Sequence, residues 1–241
     1  MNLFQVHLIS KKTLTHDVYE FIFELIEPKE IIFQTGQFVM LQIPTEKGFL
    51  QKRAYSIASP EYEKNKLIFI IKFIEGGFAS AYLKKMKVGD FVTFQGPLGR
   101  FVLHEGDHKN LLFIATGTGL APFIAMTKQI FQTMDKTATN HRIIELFFGV
   151  RYEEDIFYQD MLENFAKTYP NFQFHITVSR AKENYSGWHG RITSHLDVNK
   201  YDRNNTAVYL CGSGAMVNEI KEMFLKSNFN PENLHAEMFH V

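Results

Sequence analysis

The chain is short of several things, and each shortage removes a class of function. A single cysteine, Cys211, among 241 residues cannot close an intrachain disulfide, and alone it cannot provide a four-thiolate iron–sulfur cage or a structural zinc site. That economy fits a reducing, cytoplasmic setting. Charge of either sign is not in excess, because 26 basic and 26 acidic residues cancel. A chain without net charge has no global attraction for nucleic acid or an anionic membrane, so any basic site has to be local. Long apolar runs are also missing. The longest, Leu111 to Met126, is interrupted by Thr116-Gly117-Thr118-Gly119 and Pro122, and falls short of the ~20 residues a spanning helix needs. The start, Met1-Asn2-Leu3-Phe4-Gln5-Val6, has no basic region before its apolar residues and reads as a strand rather than a signal peptide. The expectation is a protein with no membrane insertion and no nucleic-acid partner.

What is abundant is apolar and aromatic. A hydrophobic content of 45% with 24 phenylalanines and only 22% charged residues argues against disorder, and the length suggests one or two domains. The hydrophobic period divides the chain. Up to about Leu103, alternation dominates: Tyr19, Phe21, Phe23 and Leu25 share one face, Phe38, Met40 and Gln42 oppose Val39, Leu41 and Ile43, and Leu67 to Ile74 is a dense β-type run. Turn signals such as Thr35-Gly36, Val88-Gly89-Asp90 and Gly96-Pro97-Leu98-Gly99 separate the runs, as in an antiparallel barrel or sandwich. One helix, roughly Phe78 to Met86, interrupts them after Gly76-Gly77. Beyond the polar break His104-Glu105-Gly106-Asp107-His108-Lys109-Asn110 the pattern becomes β-α-β-α. Strands are expected near Leu111–Ala115, Ile143–Phe148, Phe172–Val178 and Ala207–Cys211, with helices near Ala121–Met134, Tyr158–Tyr169 and Ala215–Lys226. That order predicts a parallel sheet with helices on both faces, so the expected domains are 1–103 and 104–241.

Four motifs carry chemistry. In Ala115-Thr116-Gly117-Thr118-Gly119-Leu120-Ala121-Pro122, glycines between a strand and a helix allow close backbone approach to an anion at a helix N-terminus. Pro122 fits the first helical turn but occupies the third glycine's place in Gly-x-Gly-x-x-Gly, and the Gly-Lys-Ser/Thr ending of a P-loop is absent. A tight structural turn reads the same way from this segment alone. In Arg53-Ala54-Tyr55-Ser56, Arg53 and Tyr55 share a strand face: a fork-shaped cation suited to a diphosphate and an aromatic plane suited to another ring. An ordinary strand with an exposed Arg and a half-buried Tyr is the competing reading. Gly76-Gly77-Phe78-Ala79-Ser80 opens the helix of this half. Cys211-Gly212-Ser213-Gly214-Ala215-Met216 again joins a buried strand to a helix, where parallel sheets bind ligands. Taken alone, Cys211 is a small buried hydrophobe rather than a nucleophile.

In this order, Arg53-x-Tyr55-Ser56, Gly76-Gly77-x-x-Ser80, Gly117-Thr118-Gly119-x-x-Pro122, Cys211-Gly212-x-Gly214-x-Met216 and Glu237-Met238-Phe239 resemble the ferredoxin/flavodoxin–NADP reductase family of flavoenzymes, over essentially the whole chain. The resemblance implies a six-stranded antiparallel Greek-key β-barrel binding FAD, followed by an α/β domain with a five-stranded parallel sheet binding NADP. It implies that Arg53 binds the FAD diphosphate with Ala54 beside it, that Tyr55 stacks on the isoalloxazine, and that Ser56 hydrogen-bonds near flavin N5. Gly77, Phe78, Ala79 and Ser80 would hold the diphosphate from the helix end. Gly117, Thr118, Gly119 and Pro122 would form the nucleotide turn, with Thr118 where flavin meets nicotinamide. Cys211 would lie beside nicotinamide C4, with Gly212, Met216 and Glu237 in the same pocket. The catalytic roles fall on Tyr55, Ser56, Cys211 and Glu237. Phe239 is the candidate for an aromatic covering the flavin, with a simple strand anchor as the alternative.

Charge bears on the nucleotide. The second and third parallel strands end Val150-Arg151 and Ser179-Arg180, without the carboxylate that accepts the ribose hydroxyls of NAD, and Arg191 follows. The expectation is a preference for NADPH. Gly96-Pro97-Leu98-Gly99-Arg100-Phe101 also resembles a segment of the wider superfamily, including flavohaemoprotein domains and oxygenase reductases. The histidines of His104-Glu105-Gly106-Asp107-His108 read as an interdomain turn, not a metal site. Lys84, Lys85 and Lys87 read as a solvated face to which an acidic carrier could dock. The leading expectation is a reductase exchanging electrons with ferredoxin or flavodoxin, since one cysteine cannot hold an iron–sulfur cluster. An oxygenase reductase component or flavin reductase stands second, and a non-catalytic flavin subunit third.

Overall fold

The computed structural model describes residues 2–104, 108–134 and 142–239. It divides into two compact units, Met1–Leu103 with Ile124–Gln129, and His104–Phe123 with Ile130–Val241.

The first unit contains β1 (Asn2–Thr13), β2 (Val18–Glu27), β3 (Phe38–Pro44), β4 (Leu50–Ser56), β5 (Lys66–Lys72), α1 (Phe78–Lys85) and β6 (Phe91–Leu98). The strands form one six-stranded antiparallel sheet in the order β4-β3-β6-β1-β2-β5. The end strands β4 and β5 approach each other, and just past β4 the Ala58 amide donates to Ile68 O at 2.8 Å, drawing the sheet round on itself. Strand alternation sends Phe21, Phe23, Val39, Leu41 and Ile43 inward. Their rings interlock: Phe23 meets Phe94 edge-on at 5.3 Å, and Phe69 meets Phe94 at 4.9 Å. Edge-to-face packing satisfies the ring quadrupoles as well as burying apolar area. Helix α1 buries Ala79 and Leu83, and Lys11 closes its carbonyl end: Nζ donates to Leu83 O at 3.0 Å, Lys84 O at 2.8 Å and Met86 O at 3.3 Å. The middle of α2 counts with this unit, and Gln129 Nε2 there donates to Glu61 Oε1 at 3.0 Å.

The second unit contains β7 (Asn110–Thr116), the helix α2 (Ala121–Met134) in part, β8 (Ile143–Val150), α3 (Gln159–Thr168), β9 (Phe172–Val178), β10 (Trp188–His189), β11 (Thr206–Ser213), α4 (Gly214–Lys226) and β12 (Leu234–Phe239). Every pair in the order β10-β9-β8-β7-β11-β12 is parallel. Five of these strands meet the family expectation. The sixth, β10, is two residues long and carries no periodicity by which a sequence could announce it. Successive β7 residues face opposite ways: Leu112 and Ile114 pack with Val217, Ile220 and Phe224 of α4, whereas Phe113 stacks on Phe123 of α2 at 4.8 Å. Phe131 of α2 in turn meets Phe165 of α3 at 5.3 Å, so both sheet faces are covered, as the continuous apolar runs of β7 and β11 require. Among the described residues no helix is long and apolar enough to cross a membrane. Glu105, Gly106 and Asp107, the centre of the expected turn, lie outside the described residues.

Candidate functional site

In the first unit, Arg53, Ala54, Tyr55 and Ser56 end β4, with Leu41 opposite Arg53 and Val39 opposite Tyr55. Because Val39 and Leu41 point into the core, Arg53 and Tyr55 share that face, and Ser56 is buried on the other. Position at the end of the sheet separates the two. Tyr55 packs against Phe69 at 6.3 Å, and burial pushes its phenol up to about 12 against the opposing pull of Arg53. Arg53 stays in solvent, with Nη1 donating to Lys52 O at 2.9 Å and Nη2 to Gln51 Oε1 at 3.4 Å, both neutral acceptors that an anion can replace.

The N-terminus of α1 is open. Gly77 is its N-cap without a side-chain cap, and the first turn holds no acidic residue, so the leading amides of Phe78, Ala79 and Ser80 have no acceptor within the helix. Ser80 Oγ accepts from the Ile74 amide at 2.8 Å, which leaves its own hydrogen to donate. A Cβ on Gly77 would lie 3.0 Å from Ile74 O and 3.2 Å from Ser80 Oγ, so this turn is shaped around a glycine. A diphosphate at the amide end and an aromatic heterocycle at Tyr55 fit this donor set.

In the second unit the ends of β7, β11 and β12 converge. A 3-10 turn, Gly117–Leu120, leads straight into α2 with Pro122 in its first turn. Gly117 has φ +54° and open space where a Cβ would be, whereas a Cβ on Gly119 would lie 2.3 Å from Cys211 O. Gly212 has φ +140°, and Thr116 Oγ1 accepts from the Ser213 amide at 3.0 Å, tying the two loops together. Thr118 is half-buried in that turn. Cys211 is fully buried, opposite Ala115 on one side and Glu237 on the other. Burial, and then the Glu237 carboxylate, push its thiol up, so it is a neutral thiol and not a thiolate nucleophile. Ser213 caps α4 by accepting from the Met216 amide at 3.4 Å, Met216 packs partly into the core, and Phe239 closes β12 opposite Ser213.

The arginines gather at the far ends of β8 and β9. The parallel ladder continues one step past each strand: the Ser179 amide donates to Val150 O at 3.0 Å, and the Arg180 amide to Arg151 O at 2.9 Å. That register sets Arg151 level with Ser179 and Arg180 level with Tyr152 one residue on, with both arginines exposed. Arg180 Nη1 donates to Tyr152 OH at 3.0 Å, with the guanidinium 5.9 Å over that ring. Arg191 follows β10, 4.0 Å from Glu219 across an exposed pair. Sequence reasoning missed three participants. Tyr152 holds Arg180, Glu153 Oε1 accepts the Lys182 amide at 2.7 Å and ties the two arginine loops together, and Thr116 supplies a hydroxyl rather than a spacer. Only Tyr152, next to Arg151 in the chain, left a signal that could have been weighed.

This fold and these ends of strands define a two-part nucleotide-binding oxidoreductase: residues 5–103 match the oxidoreductase FAD-binding domain and residues 113–222 the oxidoreductase NAD-binding domain. Ferredoxin–NADP reductase B of Sorangium cellulosum is 32% identical over 226 residues, covering 91% of this chain and 90% of its own length. The chain belongs to the ferredoxin reductase family. The anthranilate 1,2-dioxygenase electron transfer component of Acinetobacter baylyi is also 32% identical, over 212 residues and 88% of the chain, which spans only 59% of that relative. Among solved structures, a ferredoxin–NADP+ reductase from Neisseria gonorrhoeae with bound FAD and NADP superposes with a TM-score of 0.83 at 24% identity, covering 99% of each chain. An Amycolatopsis cytochrome P450 reductase gives a TM-score of 0.86 at 24% identity, over 99% of this chain and 70% of that one.

Proposed function

We propose that this chain is an NADPH-dependent flavin reductase that exchanges single electrons with a separate carrier, a ferredoxin or flavodoxin, in the cytoplasm. FAD, when bound, would supply the redox chemistry that links two-electron hydride donation by the nicotinamide to one-electron carriers. Arg53 and the open amide end of α1 bind the diphosphate, and the ring of Tyr55 orients the flavin while Ser56 offers a hydroxyl beside it. Cys211 and Glu237 shape the nicotinamide pocket, the thiol as a neutral, compact wall that keeps water out. The observation that supports the choice of NADPH is that the Arg180 amide donates to Arg151 O, so that two exposed cations sit at the ends of neighbouring strands. Steady-state kcat/KM with NADPH and NADH tests it: a preference for NADPH that collapses in Arg180→Ala is expected, and equal or better use of NADH overturns it.

A second reading, a reductase component of an oxygenase, is favoured by the likeness to the Acinetobacter dioxygenase component. Reduction rates with ferredoxin, flavodoxin and free FMN separate the two. Fast turnover with FMN alone removes the carrier reading.

A further inference from the structure

The two-residue strand β10 pairs only Trp188 with Thr177 and His189 with Val178, too little backbone to hold the chain that follows. Trp188 makes up the difference with its ring. It stacks on His175 at 4.5 Å and 9° between planes, and His195 stacks on it at 4.8 Å and 22°.

Each imidazole is itself held. His175 Nε2 lies 2.9 Å from Glu145 Oε1, and Glu145 Oε2 accepts the Tyr201 hydroxyl at 3.0 Å. His195 Nε2 lies 2.7 Å from His189 O, and His189 Nε2 lies 2.7 Å from Tyr185 O. Trp188 and His195 thus close the two ends of a short loop. Within it come Gly190, at φ +101°, Arg191, whose carbonyl accepts from the Ser194 amide at 3.0 Å, and the buried Ile192. Arg191 stands at the apex. Its pair with Glu219, 4.0 Å apart and exposed on both sides, is too weak to fix it, because exposed ion pairs contribute little against the entropy of two long side chains.

We propose that the His175–Trp188–His195 stack is a clasp that positions Arg191 for the 2′-phosphate of NADP, making Trp188 and His195 positioning residues for nucleotide choice. This rests on the role given to Arg191 above. A guanidinium presented by a closed loop binds with less ordering cost than one on a free loop, and the gain falls only on ligands that carry the phosphate.

The test uses the full FAD-loaded protein, with 2′-phospho-AMP and AMP as calorimetric probes, KM and kcat with NADPH and NADH, and tryptophan emission. Trp188 is the only tryptophan, so its emission reports on the clasp directly. His195→Ala is expected to shift emission to the red and weaken 2′-phospho-AMP about fivefold, with AMP binding and kcat unchanged. His195→Phe restores the stack and the affinity. Equal weakening of both probes, unmoved emission, or moved emission with unchanged 2′-phospho-AMP binding each overturns the proposal. Arg191→Ala separates the layers. A loss of about tenfold or more for 2′-phospho-AMP supports the role of Arg191, so that a silent His195→Ala then defeats the clasp alone. No loss in Arg191→Ala defeats both.

Discussion

Two glycines two positions apart should respond to the same added methyl group to different degrees and for different reasons. A Cβ on Gly119 would lie 2.3 Å from Cys211 O, 2.6 Å from Cys211 C and 2.8 Å from Gly212 Cα. All three are backbone atoms of the neighbouring strand and loop, so no rotamer change relieves the clash and the β7 and β11 loops must part. Overpacking of this kind sits at the upper end of its usual range, about 3 kcal/mol. For a chain of this length that lowers Tm by about 6–12 °C. Gly117 differs on both counts: nothing lies within 4 Å of its Cβ position, and the only cost is its φ of +54°. A left-handed alanine costs about 1–2 kcal/mol, so Tm should fall by about 2–8 °C. On the proposed function the open space at Gly117 receives a phosphate, so Gly117→Ala should raise the KM for NADPH more than its stability loss suggests. Thermal unfolding without nucleotide, followed by steady-state kinetics, checks both variants. A Gly119→Ala protein melting within about 2 °C of the parent would refute the reasoning, as would a Gly117→Ala protein that is the less stable of the two.

Lys11→Met removes the donor to three carbonyls at the end of α1 and should cost about 1–2 kcal/mol, with looser FAD binding by flavin fluorescence; Lys11→Arg should recover most of both. Because the Tyr55 phenol is pushed up to about 12, it stays protonated throughout the working range. Tyr55→Phe should therefore leave the inflections of the pH–rate profile in place while Tyr55→Ala weakens FAD binding. Burial raises the carboxyl of Glu145, but hydrogen bonds from His175 and Tyr201 outweigh it and hold the group below its ordinary 4.5. Its stabilising contribution is present above that value and is lost as pH falls through the lower, folded one. Glu145→Gln should melt lower at neutral pH yet lose less stability on acidification, and parallel melting curves for the two proteins would contradict this.

The core was legible because burial on one strand face leaves a period of two. Phe21, Phe23, Val39 and Leu41 announce the first sheet, and the unbroken apolar runs of β7 and β11 announce a sheet covered on both faces. The loop glycines were legible for a similar local reason, since a strand, a glycine turn and a helix follow one another in the chain. What local pattern cannot carry is contact between distant positions. The Thr116 hydroxyl meets the Ser213 amide across 97 residues, and nothing beside either residue hints at the other. The ring column of His175, Trp188 and His195 is hidden likewise, because β10 is too short to show a period.

The arginine pair lies between these cases. Arg151 and Arg180 are visible as charges at strand ends, but their adjacency depends on the register that sets Val150 opposite Val178. A slip of one residue would turn each side chain of β9 to the other face and break the hydrogen bond from the Arg180 amide to Arg151 O. That slip is forbidden by the core, since it would also drive His175 away from Glu145 and Phe172 off Phe131. The same apolar packing that fixes the sheet therefore concentrates positive charge on one rim of a chain whose net charge is zero. On the proposed function, recognition of a phosphate would depend on where the register puts these cations, and not on how many the composition contains.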